Sequence, residues 1–292
     1  MKRIVFLSGK GGTGKTTLAA AFATRVKELT VVDADVDAAN LHLVFHPEVR
    51  DTGIYYGSNV AVRDDEACTS CGLCRTTCRF GAIVEDLTID PMLCEGCGAC
   101  VTACPTDALR LVERASGEWY IGQAGAHPMV GAELYPGEEV SGKLVSVIRE
   151  KADERAKTEG TDRIGIDGSP GIGCPVIAST TGTQAAVLVT EPSRSGLHDL
   201  ERILGVVRHF DIPASLLINK ADLSEPLADE IEGFARREDL PLLGRIPYDE
   251  RVLDALRVGR NPVDDPDSPA GRAMDEAISR LSEWIESPAE AA

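Results

Sequence analysis

The chain has 292 residues, 43% of them hydrophobic, and a formal net charge of −17. That length supports a substantial buried core, while the acidic balance argues against nucleic acid or an anionic membrane as partner, since both reward Lys and Arg. No stretch approaches the roughly 18 apolar residues of a membrane span, and the apolar start reads as a strand rather than a leader, so a cytoplasmic protein is expected.

The apolar run Ile4–Leu7 predicts a strand. It leads into Ser-Gly-Lys-Gly-Gly-Thr-Gly-Lys-Thr-Thr at positions 8–17 and then into the alanine-rich run from Leu18. Strand, glycine loop and helix in that order form the context of a phosphate-binding P-loop, G-x-x-x-x-G-K-T. Gly9, Gly11, Gly12 and Gly14 let the backbone N–H groups turn inward, and the helix N-terminus adds partial positive charge. Thr13 and Thr17 complete the expected nucleotide-binding set. Lys15 supplies a point charge to the phosphates, and the Thr16 hydroxyl can ligate Mg²⁺. A second lysine, Lys10, follows the first glycine directly. Thr30–Asp33 then predicts a short strand ending in carboxylates, Asp33, Asp35 and Asp37, where α/β sheets carry their site groups.

The character changes near Val60. Cys68, Cys71, Cys74 and Cys78 have the spacing C-x2-C-x2-C-x3-C, and Cys94, Cys97, Cys100 and Cys104 repeat it, followed by Pro105. This is the bacterial iron–sulfur run, present twice, in which the fourth cysteine of each run serves the other cluster. Cluster one would take Cys68, Cys71, Cys74 and Cys104; cluster two would take Cys78, Cys94, Cys97 and Cys100. Zinc also binds paired C-x2-C motifs, but two cysteine triplets with remote fourth ligands fit two 4Fe–4S clusters better. Arg79 stands after Cys78 where a proline is usual, which leaves the ligand set intact.

The glycine-rich stretch from Trp119 to Gly142 reads as a connection. Leu144–Arg155 has helical spacing, and Arg163–Asp167 predicts a strand whose terminal aspartate would hold Mg²⁺ through water. Strands are then expected at Ala185–Val189, Ala214–Ile218 and Leu242–Ile246. Helices are expected at Gly196–Phe210, Pro226–Arg237, Val252–Val258 and Gly271–Glu286. That alternation implies parallel βαβ units. Cys174 is the one cysteine outside the two runs; a buried small residue is the commoner use of such a cysteine.

The motifs Gly-Lys-Gly-Gly-Thr-Gly-Lys-Thr-Thr, Val32-Asp33-Ala34-Asp35, Asn40-Leu41 and Asp167-Gly168-Ser169-Pro170-Gly171 resemble those of MinD/ParA-type P-loop ATPases with a deviant Walker A motif. With the cysteine tandem inserted, the chain resembles the members of that superfamily that carry a ferredoxin domain. The resemblance implies an α/β P-loop fold over 1–59 and 116–292, with mainly parallel sheet flanked by helices, and a ferredoxin insertion over 60–115. It also implies a slow, Mg²⁺-dependent ATPase in which two subunits sandwich two ATP molecules and Lys10 reaches the partner's phosphates. Asp35 matches the residue that orients the attacking water, and Asp33 lies nearer Mg²⁺ with Thr16 and Asp167. Asn219 is expected at the base edge, with Pro247 packing on the ring. Asn219-Lys220-Ala221-Asp222 equally fits the N-K-x-D guanine motif, so GTP stays open beside ATP. A cysteine in the position of Cys174 ligates a dimer-bridging cluster in the related nitrogenase iron protein, which makes Cys174 a candidate dimer-interface residue.

Three functions follow as expectations. The first is ATP-gated electron transfer through two 4Fe–4S clusters to a redox partner. The second is assembly or carriage of a metal cluster for a partner protein, weakened because no cysteine follows Cys174. A positioning ATPase is disfavoured, lacking a basic membrane helix or DNA-binding surface. The dimer could be formed with itself or with a second, similar ATPase.

Overall fold

The strand–helix alternation builds a parallel sheet whose strands are apolar on both faces, because helices cover both. Strands β1 (Lys2–Ser8), β2 (Leu29–Ala34), β6 (Arg163–Pro170), β7 (Ala185–Thr190), β8 (Ala214–Asn219) and β9 (Leu242–Ile246) pair in parallel in the order β2-β6-β1-β7-β8-β9. Strand β5 (His127–Leu134) lies parallel beside β2, and the order continues through β4 (Leu109–Ala124) to β3 (Glu48–Arg63). The computed structural model describes residues 1–138 and 142–286. It divides into two units, one of Met1–Thr52, Trp119–Glu133 and Val140–Ala292, the other of Gly53–Glu118 and Leu134–Glu139.

In the first unit, the alanine-rich helix α1 (Lys15–Arg25) lays Leu18, Phe22 and four alanines against β1, and Phe6 and Phe22 meet with ring centroids 5.4 Å apart. Small side chains let the helix approach closely, and each large one buried adds about 1.5–3 kcal/mol. The last helix, α10 (Pro269–Glu286), adds Met274, Ile278, Leu281 and Trp284 to the same core. Four further helices, α5 (Gly142–Glu159), α7 (Arg194–His209), α8 (Glu225–Arg237) and α9 (Glu250–Arg257), fall where the sequence spacing expects them, and short helices α2 (His42–Phe45) and α6 (Cys174–Thr180) follow β2 and β6.

An expectation about the strands fails. The stretch from Trp119 is not a plain connection: it finishes β4 and then forms β5, whose Met129, Val130 and Gly131 are in register with Val31, Val32 and Asp33. Met129 and Val130 are fully buried. Gly131 marks close packing rather than a loop, since a Cβ there would lie 2.4 Å from the Tyr120 hydroxyl.

The second unit is a thin one. Its buried cluster is Ala61, Ile83, Leu87, Cys100 and Leu109, and Cys68, Cys74, Cys78, Cys94 and Cys104 pack against it. Two one-turn helices, α3 (Leu73–Thr77) and α4 (Ala99–Ala103), start at Gly72 and Gly98 with the same backbone angles, φ 75° and ψ 0°. The sequence repeat is thus a repeat of structure.

Candidate functional site

Sheet register brings the acidic residues together. Asp33 of β2 is the in-register neighbour of Asp167 of β6, and both lie at the C-terminal ends of parallel strands next to the loop after β1. Lys15 opens α1 and reaches into that cluster. Its Nζ donates to Asp167 Oδ1 at 2.7 Å and Asp35 Oδ2 at 3.4 Å, and lies 3.4 Å from Thr16 Oγ1. Asp33 Oδ2 accepts from the Leu41 N–H at 3.0 Å and its Oδ1 from the Asp35 N–H at 3.4 Å.

Three carboxylates therefore face one ammonium in a buried place. Burial drives the Asp33 carboxyl well up, and the Asp167 charge beside it adds to that. Burial pushes Asp35 up as well, with Lys15 opposing. For Lys15 burial acts to lower the pKa, but Asp167, Asp35 and Asp33 outweigh it and keep the ammonium charged. Asp167 Oδ2 is buried with no hydrogen-bond partner, as is Thr13 Oγ1. A buried, unpartnered carboxylate oxygen beside excess negative charge is a place a divalent cation and its waters would satisfy.

The loop is tight at Gly9 and Gly14 and open at Gly11 and Gly12. A Cβ on Gly9 would stand 2.4 Å from the Asp199 carbonyl oxygen. Asn219, at the end of β8, donates its amide to Thr13 O at 2.7 Å and accepts from the Lys220 N–H at 3.0 Å. Asn219 thus braces the phosphate loop and also lines the cavity beside it, in which the sequence expectation places it at a base edge. An open cavity is lined by the phosphate loop from Gly11 to Thr17, by the polar Asp35, Asn219, Lys220 and Asp249, and by Pro247, Tyr248, Val252 and Leu256. Phosphate loop and apolar side chains in one cavity suit a phosphate tail and a flat base. Tyr248 is fixed there by its N–H on Asp222 Oδ1 at 2.6 Å.

Lys10 lies on its own subunit's residues. Its Nζ contacts Glu191 Oε1 at 2.8 Å, Ser193 Oγ at 2.9 Å and Ser195 Oγ at 2.8 Å. The sequence reading missed all three. Their only signal is position, just past the C-terminal end of a strand neighbouring β1. Cys174 is exposed at the start of α6, not buried as the commoner reading expects. The helix begins there, and its buried face is Val176, Ser179 and Thr180.

In the second unit the eight cysteines line two cavities. One is lined by Cys68, Cys71, Cys74 and Cys104, the other by Cys78, Cys94, Cys97 and Cys100. The last member of each cysteine run faces the other run's cavity. Backbone N–H groups point at sulfur, Ala108 at Cys104 Sγ (3.3 Å) and Ala61 at Cys94 Sγ (3.5 Å). Among the described residues, no three His, Cys, Asp or Glu converge tightly enough to hold a metal ion. No helix among them is long and apolar enough to cross a membrane.

Residues 4–263 match the family model described as the CobQ/CobB/MinD/ParA nucleotide-binding domain. An uncharacterized protein of Methanocaldococcus jannaschii, MJ0578, is 36% identical over 228 residues, 76% of this chain and 79% of that one. The septum site-determining protein MinD of Synechocystis is 25% identical over 267 residues, 88% of this chain and 79% of that protein. Among solved structures, MinD of Pyrococcus horikoshii complexed with Mg-ADP covers 100% of this chain and 99% of its own, with a TM-score of 0.59 at 20% identity. McdA of Cyanothece in its ATP complex reaches 0.60 at 18% identity, covering 97% of this chain and 96% of its own. At those identities the structural likeness is one of fold.

Proposed function

The chain belongs to the CobQ/CobB/MinD/ParA nucleotide-binding domain family, and from that premise we propose that it is a Mg²⁺-dependent ATPase whose dimer gates electron transfer through two 4Fe–4S clusters. The observation that carries the iron–sulfur half is the sorting of eight cysteines into two four-cysteine cavities, each drawing its fourth thiol from the other run. A single zinc ion would draw its sulfurs to within about 4 Å of one another, given Zn–S bonds of about 2.3 Å. A cluster is larger and seats its four thiolates wider, which suits eight cysteines that do not converge on a single-ion site. Bound there, the clusters would supply one-electron chemistry. Cys68, Cys71, Cys74 and Cys104 would hold one, and Cys78, Cys94, Cys97 and Cys100 the other. Exposed Cys71 and Cys97 bring each site to the surface, within reach of a redox partner.

For the nucleotide half, Lys15 leaves the carboxylates for the β and γ phosphates when ATP binds. Thr16, and through water Asp167 and Asp33, would hold Mg²⁺, which would supply the positive charge those acids then lack. Asp35, at the edge of the cluster, orients the attacking water. Pro247 and Tyr248 pack the adenine, while Asn219 holds Thr13 and so fixes the loop. The Mg-ADP complex of the Pyrococcus horikoshii relative supports nucleotide and Mg²⁺ here. Lys10 from each subunit would neutralise transition-state charge in the other, so hydrolysis depends on the dimer, with itself or with a similar ATPase. Coupling requires that the two nucleotide states differ in partner affinity.

The test is electron transfer from the chemically reduced protein to an acceptor protein, with and without ATP. Rates should depend on ATP and lose that dependence in Lys10→Ala. Transfer indifferent to both would sink gating. Clusters passing readily to an apo-protein would favour the second reading, assembly or carriage of a metal cluster.

A further inference from the structure

The carboxylate of Glu191 joins two lysines beside the phosphate loop. Its Oε1 lies 2.8 Å from Lys10 Nζ and its Oε2 3.1 Å from Lys220 Nζ. Ser193 and Ser195 take up the other donors of Lys10, so that all three N–H groups of the ammonium have acceptors within one subunit. Lys220 Nζ also donates to Gly12 O at 2.9 Å, from a backbone in the left-handed region at φ 52°. A non-glycine residue held there has its direction set by its surroundings. Burial works against charge on Glu191, but its two lysine partners outweigh it and hold the carboxyl below its usual range.

The fold builds this arrangement. Leu7 and Leu188 are in register on neighbouring strands, and Lys10 and Glu191 each stand three residues beyond that pair. The turn carrying Glu191 is closed by Ser193 N–H on Glu191 O at 2.8 Å, Gly196 N–H on Ser193 Oγ at 3.0 Å and Thr190 Oγ1 on Gly196 O at 3.0 Å. A Cβ on Gly196 would lie 2.3 Å from Glu191 O. Only glycine lets that turn close, and the closed turn aims Glu191 at the loop.

The geometry points to Glu191 as a positioning residue that keeps Lys10 folded onto its own subunit until the ATP-bound dimer forms. This rests on the cross-dimer role of Lys10 proposed above. To reach a second subunit's phosphates, Lys10 must give up one ion pair and two hydroxyl acceptors. Glu191 therefore sets the threshold for assembly. Its second contact runs through Lys220 to Gly12 O, so the same carboxylate is tied to the loop that receives the nucleotide.

The experiment measures ATP-dependent self-association of the full chain by analytical ultracentrifugation, alongside ATP hydrolysis at low protein concentration. Glu191→Gln should tighten association about three- to five-fold, the weight of a part-exposed ion pair. Hydrolysis should rise by a similar factor, through a lower protein concentration for half-maximal rate rather than a higher plateau. Glu191→Asp, too short to span both lysines, should lie between. A double-mutant cycle with Lys10→Ala separates this from a general charge effect on ATP: the gain from Glu191→Gln should vanish when Lys10 is absent. Unchanged or weaker association in Glu191→Gln, or a gain that survives Lys10→Ala, overturns the proposal. A failure of the cross-dimer reading shows separately, as Lys10→Ala protein with wild-type hydrolysis.

Discussion

The two units are held together by different means. In the nucleotide unit, β1, β2, β7 and β8 bury nearly every side chain, and α1 and α10 pack Phe22, Met274, Ile278 and Leu281 into one core with Phe6 and Val187. In the cysteine unit the buried cluster is Ala61, Ile83, Leu87, Cys100 and Leu109, and much of what packs on it is thiol. A core that small buries too little apolar area to offset chain entropy without a metal or other staple. The first unit takes its order from its own side chains, and under the proposed function the second would take it from the clusters its thiols hold. Each chemistry should therefore be removable without dismantling the other unit.

The largest expected effect comes from stripping iron with a chelator under reducing conditions. Calorimetry should then lose the transition of the cysteine unit while the parallel-sheet unit keeps its own. Two transitions that both survive chelation would break the comparison. Next is Lys15→Ala, which should lower ATP hydrolysis by about 10²–10³-fold, the scale of losing one preorganised charge at a transition state. Visible absorbance of the clusters should not change; a parallel loss of absorbance would mean that the units are not separable. Cys100→Ala, at the most buried of the eight thiols, should reduce iron from about eight to about four per chain. ATP binding, followed with a fluorescent analogue, should stay within two-fold, a margin of about 0.4 kcal/mol. The smallest effect is expected for exposed Cys174→Ser, which should keep all the iron of the purified dimer. Iron lost in that variant would instead make Cys174 a ligand of a bridging cluster.

Much of this was legible in the residues themselves. Ser8–Thr17 carries strand end, glycine turn and helix start within ten positions, because phosphate binding is a local property of backbone N–H groups and one lysine. The cysteine spacing is equally local, and the cavities are lined by the sets that spacing implies. The β5 strand is hidden in the sequence because Gly131 looks like a loop glycine beside the true turn glycine Gly125; only the packing of Tyr120 against Gly131 shows why a side chain is excluded there. Asn219 was recognised as a site residue, but its partner, Thr13 O, lies 206 positions away.

By itself the sequence determined the α/β P-loop class, the phosphate loop and the cysteine spacing, since each depends on periodicity or on residues a few positions apart. Tertiary structure decided the rest. Parallel register set Asp33 beside Asp167 and put Lys15 among three carboxylates, of which burial pushes Asp33 and Asp35 up. The same register brought Glu191 to Lys10 across 181 positions of chain. No local pattern encodes such a meeting, because a long-range ion pair depends on which strands become neighbours and where each one ends.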